Sequence, residues 1–210
     1  MQLIFIGSSM TKRNKSCESE VMLTMQRKEL LKKSAIRHAE YYGMVEVQDA
    51  LYADSANKKI FTDLISIIGS DANIKMAYRN LKSNKGSNTP GVDGKTFKDL
   101  AEMSEEALVR CVRDKILNYQ PKAVRRVYIP KPNGKMRPLG IPTVIDRIVQ
   151  QSVLQVMEPI CEAKFYRHSY GFRPNRSTKN AVAVCYKLAQ VDGFHYVVDV
   201  DIKGFFDNVD

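Results

Sequence analysis

The apolar periodicity of this chain changes at Pro121. Before it, apolar side chains recur every three or four residues, the spacing of helices that bury one face. After it, Val124–Ile129 and Met136–Ile141 read as two strands flanking a turn, Lys131-Pro132-Asn133-Gly134-Lys135. A chain that makes this switch is confined to an α+β class, helices first and then a basic β-hairpin. Pro138 and Pro142 make the second strand an edge or a bent one.

The helical part divides further. Residues 21–56 are polar, basic and helical in part. Ile60, Phe61, Leu64, Ile65 and Ile68 predict a helix over 58–68. Asp71 is placed to cap a second, carrying Ile74, Ala77, Tyr78 and Leu81 inward. The stretch 82–94, KSNKGSNTPGVDG, has three glycines, a proline and no apolar period, so it is a loop. Leu108, Cys111, Val112, Ile116 and Tyr119 predict a helix near 104–119 that Pro121 stops.

Beyond the hairpin, Thr143 and Asp146 form a capping-box pattern. The helix they open carries Ile145, Ile148, Val149, Val153 and Val156 inward to Glu158, and Pro159 ends it. An aromatic, basic loop follows at 165–176. Ser177 caps another helix with Ala181, Val184, Cys185 and Leu188 inward, and Gly193 turns the chain into a strand at Tyr196–Ile202. Lys203-Gly204 begins a turn, and Phe205-Phe206-Asp207 starts a short helix. Residues 1–20 read as a disordered leader or a start placed too far upstream.

Charge and cysteine content narrow the function. The 210 residues carry 33 Lys+Arg against 23 Asp+Glu, a net charge of +10, which points to a polyanion such as nucleic acid. No apolar run approaches the ~18–20 residues of a membrane span. Cys17, Cys111, Cys161 and Cys185 form no Cys-x-x-Cys pair, and His38, His168 and His195 are scattered, so neither zinc nor a disulfide framework is supported. Cys161 and Cys185 sit in apolar stretches and read as buried free thiols, suiting a reducing, cytoplasmic setting.

Strand alternation puts Val197, Asp199 and Asp201 on one face of the last strand and Val198, Val200 and Ile202 on the other. Carboxylates at a strand end either hold a hard cation such as Mg²⁺ or are simply hydrated. The residues that follow bear on the choice. DIKGFFDNVD resembles motif A of reverse transcriptases in the form typical of group II intron-encoded proteins. IPKPNGKMRPLGIPTVIDRIVQ resembles the fingers motif of that family, SYGFRPNRSTKNAV its next motif, and NKGSNTPGVDGKT its amino-terminal extension motif. The four blocks cover roughly residues 58–210.

The resemblance implies roles. Asp201 matches the catalytic motif A carboxylate that holds Mg²⁺, and Ile202 the residue whose carbonyl also contacts metal. Asp199 matches a supporting position, and Asp207 and Asp210 read as helix-start acids. Lys131 and Arg137 match the pair that binds the dNTP triphosphate, with Lys135 a weaker contributor. Phe206 matches the steric gate that selects deoxynucleotides. Lys82, Lys85, Arg173 and Arg176 match positions near template RNA. Tyr170 and Phe172 either stack on bases or fix their own loop. Tyr52-Ala53-Asp54 copies part of a second catalytic motif but lies far upstream, in a stretch with no hairpin pattern.

The implied organisation is a basic extension at 1–57, a helical extension of the fingers at 58–120, fingers at 121–193 and a truncated palm start at 194–210. The implied activity is RNA-directed DNA synthesis by a reverse transcriptase with maturase function, using Mg²⁺, dNTPs, a DNA primer, an RNA template and its own intron RNA. On that reading the chain is the amino-terminal part of a longer protein, inactive in synthesis by itself. Two other readings remain: a non-catalytic RNA-binding fragment, and a reverse transcriptase of a defence or diversity-generating system.

Overall fold

Helix Val144–Glu162 is the spine on which helices Met44–Ala56, Leu64–Ile68, Asp71–Lys82 and Glu105–Leu117 pack. Its start follows the sequence pattern. The Thr143 hydroxyl accepts the Asp146 amide at 3.2 Å and donates to Asp146 Oδ2 at 2.7 Å. Its end does not: the helix runs through Pro159 to Glu162 rather than stopping at Glu158. A proline inside a helix leaves the carbonyl four residues back without its donor. That carbonyl belongs to Gln155, and the Gln48 side-chain amide donates to it at 3.1 Å. A residue 107 positions away in sequence thus supplies the bond the proline cannot.

The computed structural model describes residues 37–132 and 134–202, which fall into two units divided between Phe165 and Tyr166. In the first unit, α1 is Met44–Ala56, α2 Leu64–Ile68, α3 Asp71–Lys82, α4 Phe97–Leu100, α5 Glu105–Leu117 and α6 the long helix. The core joins Leu51, Ile68, Ile74, Ala77, Phe97, Leu108, Val112, Ile148 and Val156. Helix α1 docks on α6, and Ser55 donates to the Ile160 carbonyl at 2.8 Å.

Several expected boundaries move. The helix expected over 58–68 is only α2: Asp63 accepts the Ser66 amide and caps it there, leaving Ile60 83% exposed. Ser70, not Asp71, caps α3, its hydroxyl accepting the Asn73 amide. Helix α5 ends at Leu117, ahead of Pro121. Val109 takes the buried place expected for Cys111, which is exposed, as is Tyr119. Val153 of α6 is also exposed. Two buried amides lie between α3 and α6 instead. Gln155 Nε2 donates to Asn73 Oδ1 at 2.7 Å, and Asn73 Nδ2 donates to the Ser152 and Ile68 carbonyls, both at 2.9 Å. Each buried amide is thereby satisfied within the core.

The hairpin forms as expected. Strand β1, Arg125–Pro130, pairs antiparallel with β2, Met136–Ile141, with Ile129 opposite Arg137 and Tyr128 opposite Pro138. Lys131 N donates to the Lys135 carbonyl at 2.7 Å, and Gly134, at φ 76, closes the turn.

In the second unit, Ser177 caps helix α7, Thr178–Gln190, accepting the Asn180 amide. No residue of α7 is fully buried: of the inward face expected, Ala181 and Val184 are half-buried, while Cys185 and Leu188 are exposed. Cys185 is an exposed free thiol and Cys161 a half-buried one. Gly193 turns the chain at φ 73, but residues 194–202 form no strand. A strand exists only through its ladder, and no described residue pairs with this one. The leader (1–20) and residues 203–210 lie outside the described residues.

Candidate nucleic-acid interface

The cations of the hairpin tip stand together on one face. In an antiparallel pair, opposed residues share a face and so do residues two apart. The register puts Arg125, Val127, Ile129 and Lys131 with Lys135, Arg137, Leu139 and Ile141. At the base of this face Arg125, Val127 and Ile141 are half-buried; at its tip Lys131 and Arg137 are exposed. Among the described residues neither the Lys131 ammonium nor the Arg137 guanidinium makes an ion pair or hydrogen bond. The tip therefore presents a lysine and a planar guanidinium fork side by side, which suits a triphosphate.

The 82–94 loop lies against the same unit and is held to it. Lys82 closes α3, its Nζ 5.6 Å from the Tyr78 ring centre, and Lys85 opens a 3₁₀ turn, Lys85–Asn88, with its side chain in solvent. Arg147 of α6 spends its guanidinium on backbone. Nε donates to the Pro142 carbonyl at 3.0 Å, Nη1 to Gly86 at 3.0 Å and Nη2 to Thr89 at 2.7 Å. Arg125 Nε adds the Pro90 carbonyl at 3.0 Å. Gly91 comes so close to α6 that a Cβ there would lie 2.7 Å from Thr143 Cα. Loss of solvent pushes the Arg147 pKa down, with Asp93 opposing and Arg125 reinforcing that shift. None of these anchors was singled out from sequence. The only signal was an arginine one position after the capping aspartate, too common a pattern to read.

In the second unit the aromatic loop is stitched by its own arginines. Arg173 is only 9% exposed and donates to the Tyr166 and Ser169 carbonyls, both at 2.9 Å. It is committed to loop backbone rather than standing open to template as expected. Arg176 donates to the Arg167 carbonyl at 2.9 Å and lies 5.5 Å from the Tyr170 ring centre. Tyr166, His168 and Tyr170 follow one another as a row of rings 5.4 and 6.4 Å apart. Tyr170 is half-buried in that row, whereas Phe172 is fully exposed at φ 56, a conformation a bulky residue rarely holds.

Asp199, Asp201 and Ile202 are exposed in the irregular segment 194–202. Among the described residues no three His, Cys, Asp or Glu side chains converge as a metal site. Phe206, Asp207 and Asp210 lie outside the described residues. Tyr52-Ala53-Asp54 is on helix α1, with Asp54 paired to Lys59 at 2.7 Å, so it is no catalytic hairpin. No helix among the described residues is long and apolar enough to cross a membrane.

Residues 129–210 match the family described as reverse transcriptase (RNA-dependent DNA polymerase). This segment belongs to that family. The chain is also similar to individual proteins. Protein YkfC of Escherichia coli (strain K12) is 45% identical over 139 residues, 63% of this chain and 36% of its own length. Group II intron-encoded protein LtrA of Lactococcus lactis subsp. cremoris is 41% identical over 136 residues, 64% of this chain and 22% of its own. The putative COX1/OXI3 intron 1 protein of Saccharomyces cerevisiae is 30% identical over 167 residues, 77% and 19%. The chain therefore spans about a third or less of the length of these relatives. The reverse-transcriptase segment begins inside β1 of the hairpin and runs through α6, the aromatic loop, α7 and Asp201.

Proposed function

We propose that this chain is the fingers and palm start of a group II intron-type reverse transcriptase, and that the protein carrying it copies RNA into DNA and binds its intron RNA. The observation that supports this most is the hairpin tip, where Lys131 and Arg137 share one exposed face inside a reverse-transcriptase segment. Here Lys131 supplies a point charge and Arg137 a two-pronged donor to the triphosphate of a dNTP. The 82–94 loop with Lys82 and Lys85, and the aromatic loop with Arg176 and Phe172, take template RNA by phosphate pairing and stacking. Arg173 serves by holding the latter loop in shape.

The metal role falls to Asp201, seconded by Asp199. Both carboxylates are exposed, and neither has a partner among the described residues. Hard carboxylate oxygens, with the Ile202 carbonyl, fit Mg²⁺, which takes one or two carboxylates plus substrate phosphates. When bound, the ion neutralises charge that develops on the transferring phosphate. The chain's own part is to hold the triphosphate in line and to position template, the terms that dominate phosphoryl transfer.

Steady-state primer extension by the full-length protein tests the tip. Arg137→Ala is expected to raise the KM for dNTP about tenfold or more, ~1.4 kcal/mol of lost binding, with RNA affinity nearly unchanged. A KM equal to the parent's would remove the hairpin from nucleotide binding.

A further inference from the structure

We propose that Arg147 is the positioning residue of the 82–94 loop, fixing where Lys85 meets template RNA. The inference rests on the RNA-binding reading above. The loop's composition is that of a mobile segment, with Gly86, Gly91, Gly94 and Pro90 and no apolar anchor of its own kind. Its backbone is nevertheless tied down at successive points. Arg147 takes the Gly86 and Thr89 carbonyls, Arg125 takes the Pro90 carbonyl, and Gly91 lies against the Thr143 backbone. Arg147 is itself fixed, because it sits in the first turns of α6, is half-buried, and has its Nε on the Pro142 carbonyl.

The chemistry of the side chain explains the choice. Three donors leave one rigid plane toward three carbonyls, a geometry an ammonium group cannot copy. In a strongly basic unit an arginine would ordinarily serve a phosphate. Arg147 is spent on backbone, and Lys85, the residue just before the Gly86 carbonyl it holds, stands in solvent instead. Ordering the loop before RNA arrives removes an entropic cost from binding. Lys85 then acts from a preset place rather than from a floppy tether.

A double-mutant cycle on the 210-residue chain, read by titration with a mixed-sequence single-stranded RNA oligonucleotide, tests this. Lys85→Ala alone is expected to weaken RNA binding severalfold. In an Arg147→Ala or Arg147→Lys background the same change is expected to cost almost nothing, because Lys85 is no longer held in place. Lys131→Ala, at the hairpin tip, is expected to cost the same in every background. Hydrogen exchange of the 86–91 amides should quicken in both Arg147 variants. If Lys85→Ala costs as much without Arg147 as with it, or exchange is unchanged, the positioning role is wrong. If Lys85→Ala costs nothing in the parent chain, the RNA reading of the loop fails and takes this proposal with it. Should the alanine variant not fold, Arg147→Lys, which keeps the charge and most of the stem, decides alone.

Discussion

Gly91 marks the closest approach of the loop to the long helix. A methyl group there would meet Thr143 Cα at 2.7 Å, and the Thr143 N and Pro142 O atoms at 3.0 Å, all of them backbone. Backbone cannot swing aside as a side-chain end can, so Gly91→Ala forces the loop off α6. Overpacking of this kind costs about 1–3 kcal/mol. Thermal melting of Gly91→Ala is expected several degrees below the parent, and an unchanged melting temperature would mean that the loop yields freely. Nothing in TPGVDG identified the first glycine as the tight one, because the atoms it meets lie some fifty residues on. Arg173 was opaque for a similar reason. Its residue type suggests phosphate, but two carbonyls of its own loop already occupy it.

At the scale of elements, what could be read locally was read well. The hairpin, the Thr143 and Ser177 caps, and Ile74, Ala77, Leu108, Val112 and Ile116 as core residues follow from alternation, turn chemistry and 3.6-residue spacing. What failed was settled by contacts distant in sequence. Pro159 looks like a helix end until Gln48 arrives from α1 to satisfy the Gln155 carbonyl. Residues 196–202 look like a strand, but a strand needs a partner that no described residue supplies. The Gln48 contact is open to measurement. Gln48→Ala leaves a carbonyl short of its donor and is expected to cost about 1–2 kcal/mol in denaturant unfolding. In a Pro159→Ala background the restored amide can reach Gln155, so the same change is expected to cost clearly less. Equal costs in both backgrounds would show that Gln48 contributes something other than the missing bond.

For the whole molecule, the net charge of +10 is the feature that suits a polyanionic partner. RNA binding by this chain is expected to weaken steeply with salt. The log–log slope should grow by about 0.7 for each single-strand phosphate neutralised. Affinity that stayed flat from low to high salt would contradict an electrostatic footprint. The catalytic assignment depends on Asp201: it is exposed and unpartnered among the described residues, and Asp201→Asn keeps shape and removes charge. The decisive measurement is magnesium-dependent primer extension on an RNA template by the full-length protein, parent beside Asp201→Asn, with RNA affinity measured in parallel. The parent is expected to synthesise templated DNA, and the variant to bind RNA equally while losing synthesis by several orders of magnitude. Synthesis by Asp201→Asn at the parent rate would contradict the assignment of this chain to the catalytic fingers and palm of an RNA-directed DNA polymerase.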